Sequence, residues 1–286
     1  MSSLCRKNLN RRLIAAGMAV FCLTAGTAAG RDLKVCADPN NLPFSNDRLE
    51  GFENSIADLL ARDLGASVTY TWWAQRRGFA RNTLNAGLCD VVVGVPVGIE
   101  QMATTQPYYR SGYVFVTRAA DGPPVASLDD PVLHTVLIGV QMIGDDFSNT
   151  PPAHALSRRG IIENIRGYSV LGDYREPNPP ARIIEAVALR KVDVAVVWGP
   201  LAGYFAARQS VPLRLSPVPP DEGGPIQPMR FDMAMGVRRD DPDLRRELDE
   251  ALGRNRAAID SILADYGVPR FDMPKSQSSR TEGNGG

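Results

Sequence analysis

Residues 192–205 read VDVAVVWGPLAGYF. A charged start, an apolar run from Val194 to Val197 and an abrupt Gly199-Pro200 describe a strand buried on both faces that empties into a loop. Earlier in the chain, Cys89-Asp90-Val91-Val92-Val93-Gly94-Val95-Pro96 ends in the same manner. Each ending closes a run of alternating strands and helices. The first run has a strand at Leu33–Ala37 and a helix over Phe52–Leu64, with Ile56, Leu59, Leu60 and Leu64 on one face and Gly65 placed for the C-terminal cap. Val68, Tyr70 and Trp72 then alternate as a strand, Phe79–Ala86 makes a short helix, and Cys89–Gly94 is a buried strand. The second run repeats this order with a strand at Thr135–Val140, a helix over Pro152–Arg159, a strand at Ile165–Ser169, a helix over Arg182–Leu189 and a strand at Val192–Val197. Pro151 and Pro152 suit the first turn of their helix.

This is an α/β pattern of two lobes with a mostly parallel sheet in each. A strand at Phe231–Val237 and helices over Asp243–Leu252 and Asn255–Tyr266 are too few for a third domain and must return to the first lobe. Lobe 1 is therefore expected to comprise residues 31–118 and 230–270, and lobe 2 residues 119–229. The crossings fall near Thr117–Pro124 and Pro217–Met229, the second rich in Pro and Gly as a hinge-side loop can be. Residues 271–286 end in the low-complexity run SQSSRTEGNGG and read as a disordered tail.

Residues 1–30 read as a cleaved secretory signal peptide. Arg6, Lys7, Arg11 and Arg12 form a basic front, Leu13–Ala25 an apolar core too short to span a bilayer, and Thr27-Ala28-Ala29 a small-residue cleavage site. Arg11-Arg12 leaves twin-arginine export open beside general secretion. The whole chain carries 32 basic and 32 acidic residues, and the leader takes four of the basic ones, leaving 28 against 32. That balance gives no support for binding nucleic acid or an anionic membrane. Of four cysteines only Cys36 and Cys89 lie beyond the leader. An even count in an oxidising compartment invites a disulfide between adjacent strands, against two buried thiols. Such a bridge would contribute roughly 4 kcal/mol in the loop-entropy account, less any strain.

The strand, loop and helix of Val35–Phe52, with ADPNNLPF at 37–44 between them, resemble the opening of the two-lobed type II (class 3-like) periplasmic solute-binding fold. Three further stretches narrow the resemblance: IGVQMIGDDFSNTPPAHAL at 138–156, RGYSVLGDYREPNPPARI at 166–183, and VVWGPLAGYF at 196–205. Together they resemble the quinoprotein-dehydrogenase-associated binding-protein family, of MxaJ/XoxJ type, over residues 31–270. The resemblance implies a periplasmic accessory of a pyrroloquinoline-quinone-dependent methanol dehydrogenase, in its apo or immature form, with that enzyme's cytochrome c as a further partner. It implies no cofactor of the chain's own.

Amino-acid binders of this fold hold a ligand carboxylate with an Arg and the ligand ammonium with an acid. Here Glu100 and Gln101 stand where the Arg is expected, and Gly199 where the acid is expected. Arg76, Arg77 and Arg110 are candidate substitutes. The aromatics Phe44, Trp72, Trp73, Tyr108, Tyr109 and Trp198 gather where a cleft opens, and alternation assigns Trp72 to the core. Phe44, Trp73, Tyr109 and Trp198, with Gln141 and Asn149, are therefore the candidates for the cleft or partner surface.

Asp145-Asp146 with Asn149 offers too few oxygens for a calcium or lanthanide ion and reads as a capped, solvated loop. His134 and His154 lie in different elements, so no zinc site is expected. No nucleophile elbow, HExxH, phosphate loop or dinucleotide fingerprint is present. A dehydratase-like reading would rest on Glu100 without its Arg. The expected function is thus a non-enzymatic dehydrogenase accessory, with a transport receptor for a small non-amino-acid ligand as the alternative.

Overall fold

The structure, a computed structural model, describes residues 30–143, 149–170, 174–221 and 228–271. The expected signal peptide, the Asp145-Asp146 pair and the polar tail lie outside the described residues, apart from Gly30 and Phe271 at their edges.

Lobe 1 opens with β1 (Arg31–Ala37), the short pair β2 (Asn40–Asn41) and β3 (Ser45–Asn46), and α1 (Phe52–Asp63). It continues through β4 (Ala66–Trp72), α2 (Phe79–Asn82), β5 (Val91–Pro96) and β6 (Ala103–Thr104). The long β7 (Tyr109–Arg118) follows. Lobe 2 holds β8 (Ile138–Met142), α3 (Pro151–Arg158), β9 (Ile165–Ser169) and α4 (Arg182–Ala188), then β10 (Val194–Trp198), α5 (Gly199–Ala206) and β11 (Leu213–Pro217). The chain returns as β12 (Arg230–Val237), α6 (Pro242–Arg254) and α7 (Arg256–Asp265).

Strands β4, β1 and β5 pair in parallel on one side, and β10, β8 and β9 on the other. The antiparallel strands β12 and β7 join the two sets, giving the order β4-β1-β5-β12-β7-β10-β8-β9. β7 pairs with β12 from Tyr109 to Gly112 and with β10 from Tyr113 to Thr117. The chain thus changes lobes inside a strand, at Gly112-Tyr113, ahead of the Thr117–Pro124 stretch read as the crossing. A strand this long and almost wholly buried fixes the base of the cleft through its own ladder of hydrogen bonds.

Packing explains the apolar runs. In β10, Ala195 and Val197 face the core formed with Ile183, Ile184 and Leu201, while Val194 and Val196 face the core formed with Ile138, Leu156 and Leu133. In lobe 1, Val91 and Val93 meet Ile56 and Leu60 of α1 together with Leu248 and Ile259 of the returning helices. α1 ends as its sequence predicts, with Gly65 at φ +63° just beyond Leu64. Tyr70 and Trp72 stack on one another, ring centroids 4.6 Å apart, and pack against this core.

Two local expectations are corrected. Trp198-Gly199-Pro200 does not enter a loop: α5 starts at once, with Pro200 in its first turn, where proline's missing N–H costs nothing. Cys89 lies just before β5, not within it. It is nonetheless disulfide-bonded to Cys36 of β1, with Cα atoms 5.5 Å apart, because β1 and β5 are neighbours paired at Val35 and Val91.

Candidate functional site

Between the lobes, on the side of the strand ends, lies a cavity of about 650 Å³. Phe44, Arg76 and Arg77 line it from lobe 1, and Gln141, Trp198 and Leu201 from lobe 2. Adjoining it, a second chamber of about 280 Å³ shares Phe44, Tyr113 and Trp198 and adds Glu53, Phe231 and Met233. Trp198 is central to both. Its ring meets Tyr113 edge-on at 5.5 Å and Phe231 at 5.7 Å, and its backbone N–H donates to Gln141 Oε1 at 2.9 Å. Gln141 is itself anchored, since Thr150 Oγ1 donates to its carbonyl at 2.7 Å. A side chain on β8 therefore holds the end of β10 and the start of α5.

The expected site residues divide clearly. Phe44, Gln141 and Trp198 are brought together in the cleft. Asn149 stands beside it, where its side-chain oxygen accepts from Ile143 N–H and its own N–H donates to His154 Nε2, both at 3.3 Å. Tyr109 is corrected: only 2% exposed, it packs in the lobe 1 core edge-on to Phe52 and beside Tyr108. Trp73, just past β4, is 44% exposed and lines neither chamber, so it is a surface residue and not a cleft wall. Among the substitutes for the missing arginine, Arg110 is bound by Asp232 in a two-pronged ion pair at 2.6 and 2.8 Å, whereas Arg76 and Arg77 face the cleft. Glu100 is exposed on the turn after β5, away from both chambers. Among the described residues, no three His, Cys, Asp or Glu side chains gather as a metal site.

Gly199 explains why no acid stands at the end of β10. A Cβ there would come within 2.6 Å of the Gly112 carbonyl oxygen and 3.0 Å of Ser111 Oγ. α5 is packed so closely on β7 that any side chain is excluded.

Sequence reasoning missed three contributors. Glu53, in the first turn of α1, turns its carboxyl over Gly94 of β5, where even a methyl group would collide with it. Burial, reinforced by the charge of Asp38, pushes the Glu53 carboxyl up to about 8. Phe231 arrives from the returning strand β12. Tyr174, between β9 and α4, reaches across the cleft to hydrogen-bond Asp38 Oδ2, and the Arg76 guanidinium lies 5.1 Å from its ring centre. Asn40 Nδ2 donates to the Glu176 carbonyl at 2.9 Å beside it. Asp38, 5% exposed, also accepts from Asn40 N–H at 2.8 Å and Gln75 N–H at 2.7 Å. These contacts hold the two lobes together at the rim. Burial first, then the bond to Asp38, raises the Tyr174 phenol above its usual range. Only the aromatic character of GDYREP at 172–177 signalled it in the sequence.

A two-lobed α/β body with a closable cleft at its strand ends is the architecture of solute-binding proteins. A family profile for bacterial extracellular solute-binding proteins, family 3, matches residues 33–268. The chain is 36% identical over 248 residues to Protein MoxJ of Methylorubrum extorquens, covering 83% of this chain and 81% of that protein. The crystal structure of the periplasmic binding protein XoxJ from Methylobacterium extorquens AM1 superposes with a TM-score of 0.69 at 36% identity, covering 84% of this chain and all of that one. That of MxaJ from Methlophaga aminisulfidivorans gives 0.71 at 27% identity, over 84% of this chain and all of the other. The chain belongs to solute-binding family 3 and, within it, to the MoxJ/MxaJ/XoxJ type.

Proposed function

We propose that the protein is a periplasmic, non-enzymatic accessory of a quinone-dependent methanol dehydrogenase, which it assists in maturation or activation. The observation that carries this reading is the likeness to XoxJ and MxaJ over the whole two-lobed body. The geometry of Gly199 supports it, because a cleft that excludes the acid of an amino-acid binder has left ordinary amino-acid capture. The basic leader with its short apolar core carries the chain to the periplasm and is removed there. The dehydrogenase binds in its apo or immature form, and its cytochrome c is a secondary partner. Trp73 on the surface and Trp198 in the cleft mark the two faces open to it.

The experiment is capture on immobilised residues 31–270, offered matched apo and metal-loaded dehydrogenase. Selective retention of the apo enzyme is expected. Retention of neither form, at concentrations where weak complexes register, refutes the reading. A second reading, a receptor that delivers a small ligand to a transporter, is favoured by the aromatic lining of the second chamber, and predicts thermal stabilisation that grows with ligand concentration.

A further inference from the structure

The second chamber combines features that the accessory role does not require. Glu53 faces it from α1, held in place by its N–H, which donates to the Phe44 carbonyl at 2.9 Å. Among the described residues no hydrogen bond reaches its carboxyl. A carboxyl so placed is costly to bury, and the positive end of α1 offsets only part of that cost. Around it stand the rings of Phe44, Tyr113, Trp198 and Phe231. Tyr113 and Phe231 both meet Trp198 edge-on, so the three rings form one continuous wall.

We propose that this chamber is a binding site for a small organic cation, whose alkylammonium head lies among Phe44, Tyr113, Trp198 and Phe231 and is neutralised by Glu53. Ring faces attract a desolvated cation, and the single carboxylate supplies the counter-charge. A hard metal ion is a poor match, since it needs six or more oxygens where the wall is mostly carbon. An anion is matched no better, because Arg76 and Arg77 line the larger chamber and not this one.

Binding also carries a pH signature. The cation draws the proton from a carboxyl already disposed to keep it, with Asp38, Tyr70, Tyr108 and Tyr109 as the other titratable groups close to that carboxyl. Affinity therefore rises with pH until the carboxyl is ionised without help. The proposal is independent of the dehydrogenase reading, because its readout is binding of a small molecule and not capture of a protein.

The test is calorimetric titration of the mature protein with choline and with 3,3-dimethylbutan-1-ol, its neutral carbon isostere. Choline is expected to bind at least about tenfold tighter than the isostere. Its affinity should rise between about pH 6 and about pH 8.5 in the wild type and stay flat in Glu53→Gln. Equal binding of the two probes would identify a merely apolar pocket and overturn the proposal. No heat from choline at roughly 10 mM would overturn it as well. The probe comparison uses the wild type, so it stands even where Glu53→Gln folds poorly.

Discussion

The ends of β5 and β10 are nearly the same in sequence and opposite in chemistry. Both are valine runs with an acid just ahead and a Gly and a Pro following the valines, and both bury their two faces in lobe cores. At β5, Gly94 leaves room that the Glu53 carboxyl fills from the neighbouring helix. At β10, Gly199 leaves room that the β7 backbone fills, and α5 begins with no space for an acid. The difference teaches that a glycine after a valine run does not announce its purpose. One makes way for a charge, and the other lets two backbones touch. The acid of this cleft consequently comes from lobe 1, not from the lobe 2 strand end where the amino-acid binders keep theirs.

That contrast can be broken or sharpened experimentally. The lobes differ first in their staple, because among the described residues the only disulfide is Cys36–Cys89 in lobe 1. Replacing both cysteines with serine should cost up to about 4 kcal/mol in urea unfolding. A loss well under 1 kcal/mol would remove this asymmetry between the lobes. Next in size is Gly199→Asp, which restores the acid of an amino-acid binder against the Gly112 carbonyl and should cost about 3 kcal/mol. Wild-type stability with gain of amino-acid binding would show that α5 can withdraw, and that Gly199 is not a steric exclusion.

Glu53→Gln examines the other strand end through pH. The folded-state carboxyl is raised from 4.5 to about 8, so between those values the native protein holds a proton that the unfolded chain releases. The stability from this group is complete below about pH 4.5 and is lost as pH rises to about 8, at no more than about 1.4 kcal/mol per unit. Glutamine mimics the protonated acid, so the variant should match the wild type near pH 4.5 and exceed it near pH 8.5. The comparison between the two proteins matters because Asp63, Asp121 and Asp129, each held low chiefly by hydrogen bonds from arginine, weaken both alike in acid. Parallel curves would mean the carboxyl is not sequestered. The smallest effect is expected from Tyr174→Phe, which removes the hydroxyl that bridges the lobes and should cost about 1 kcal/mol. Its sharper readout is small-angle scattering, where a more open average shape is expected, and an unchanged radius would place the closure elsewhere.

Much of this molecule was legible before folding. Phe52–Asp63, Ile165–Ser169 and Arg182–Ala188 follow their apolar spacing to within a residue or so, because local periodicity and end signals are local properties. The helical start at Gly199 was not, since a Gly-Pro pair serves a turn and a helix N-terminus equally well. For the site, Phe44 and Trp198 stood out at strand and loop ends. Tyr109 and Trp73 misled, because an aromatic near a cleft in sequence can turn into the core or out to solvent with a shift of one position. Glu53, Tyr174 and Phe231 carried no sequence signal specific enough to separate them from surface or core residues.

The sequence by itself determined two α/β runs, a returning C-terminal segment, a pair of cysteines beyond the leader, and the loss of the residues that clamp a zwitterion. Those follow from hydrophobic spacing, turn chemistry and residue identity, each readable over a few positions. Tertiary structure alone decided that β7 carries the chain between lobes, that Gly199 is closed by backbone, and that Glu53 faces an aromatic chamber over Gly94. Each of these depends on which distant backbone comes close to which glycine, and that is fixed only when the sheets and helices pack.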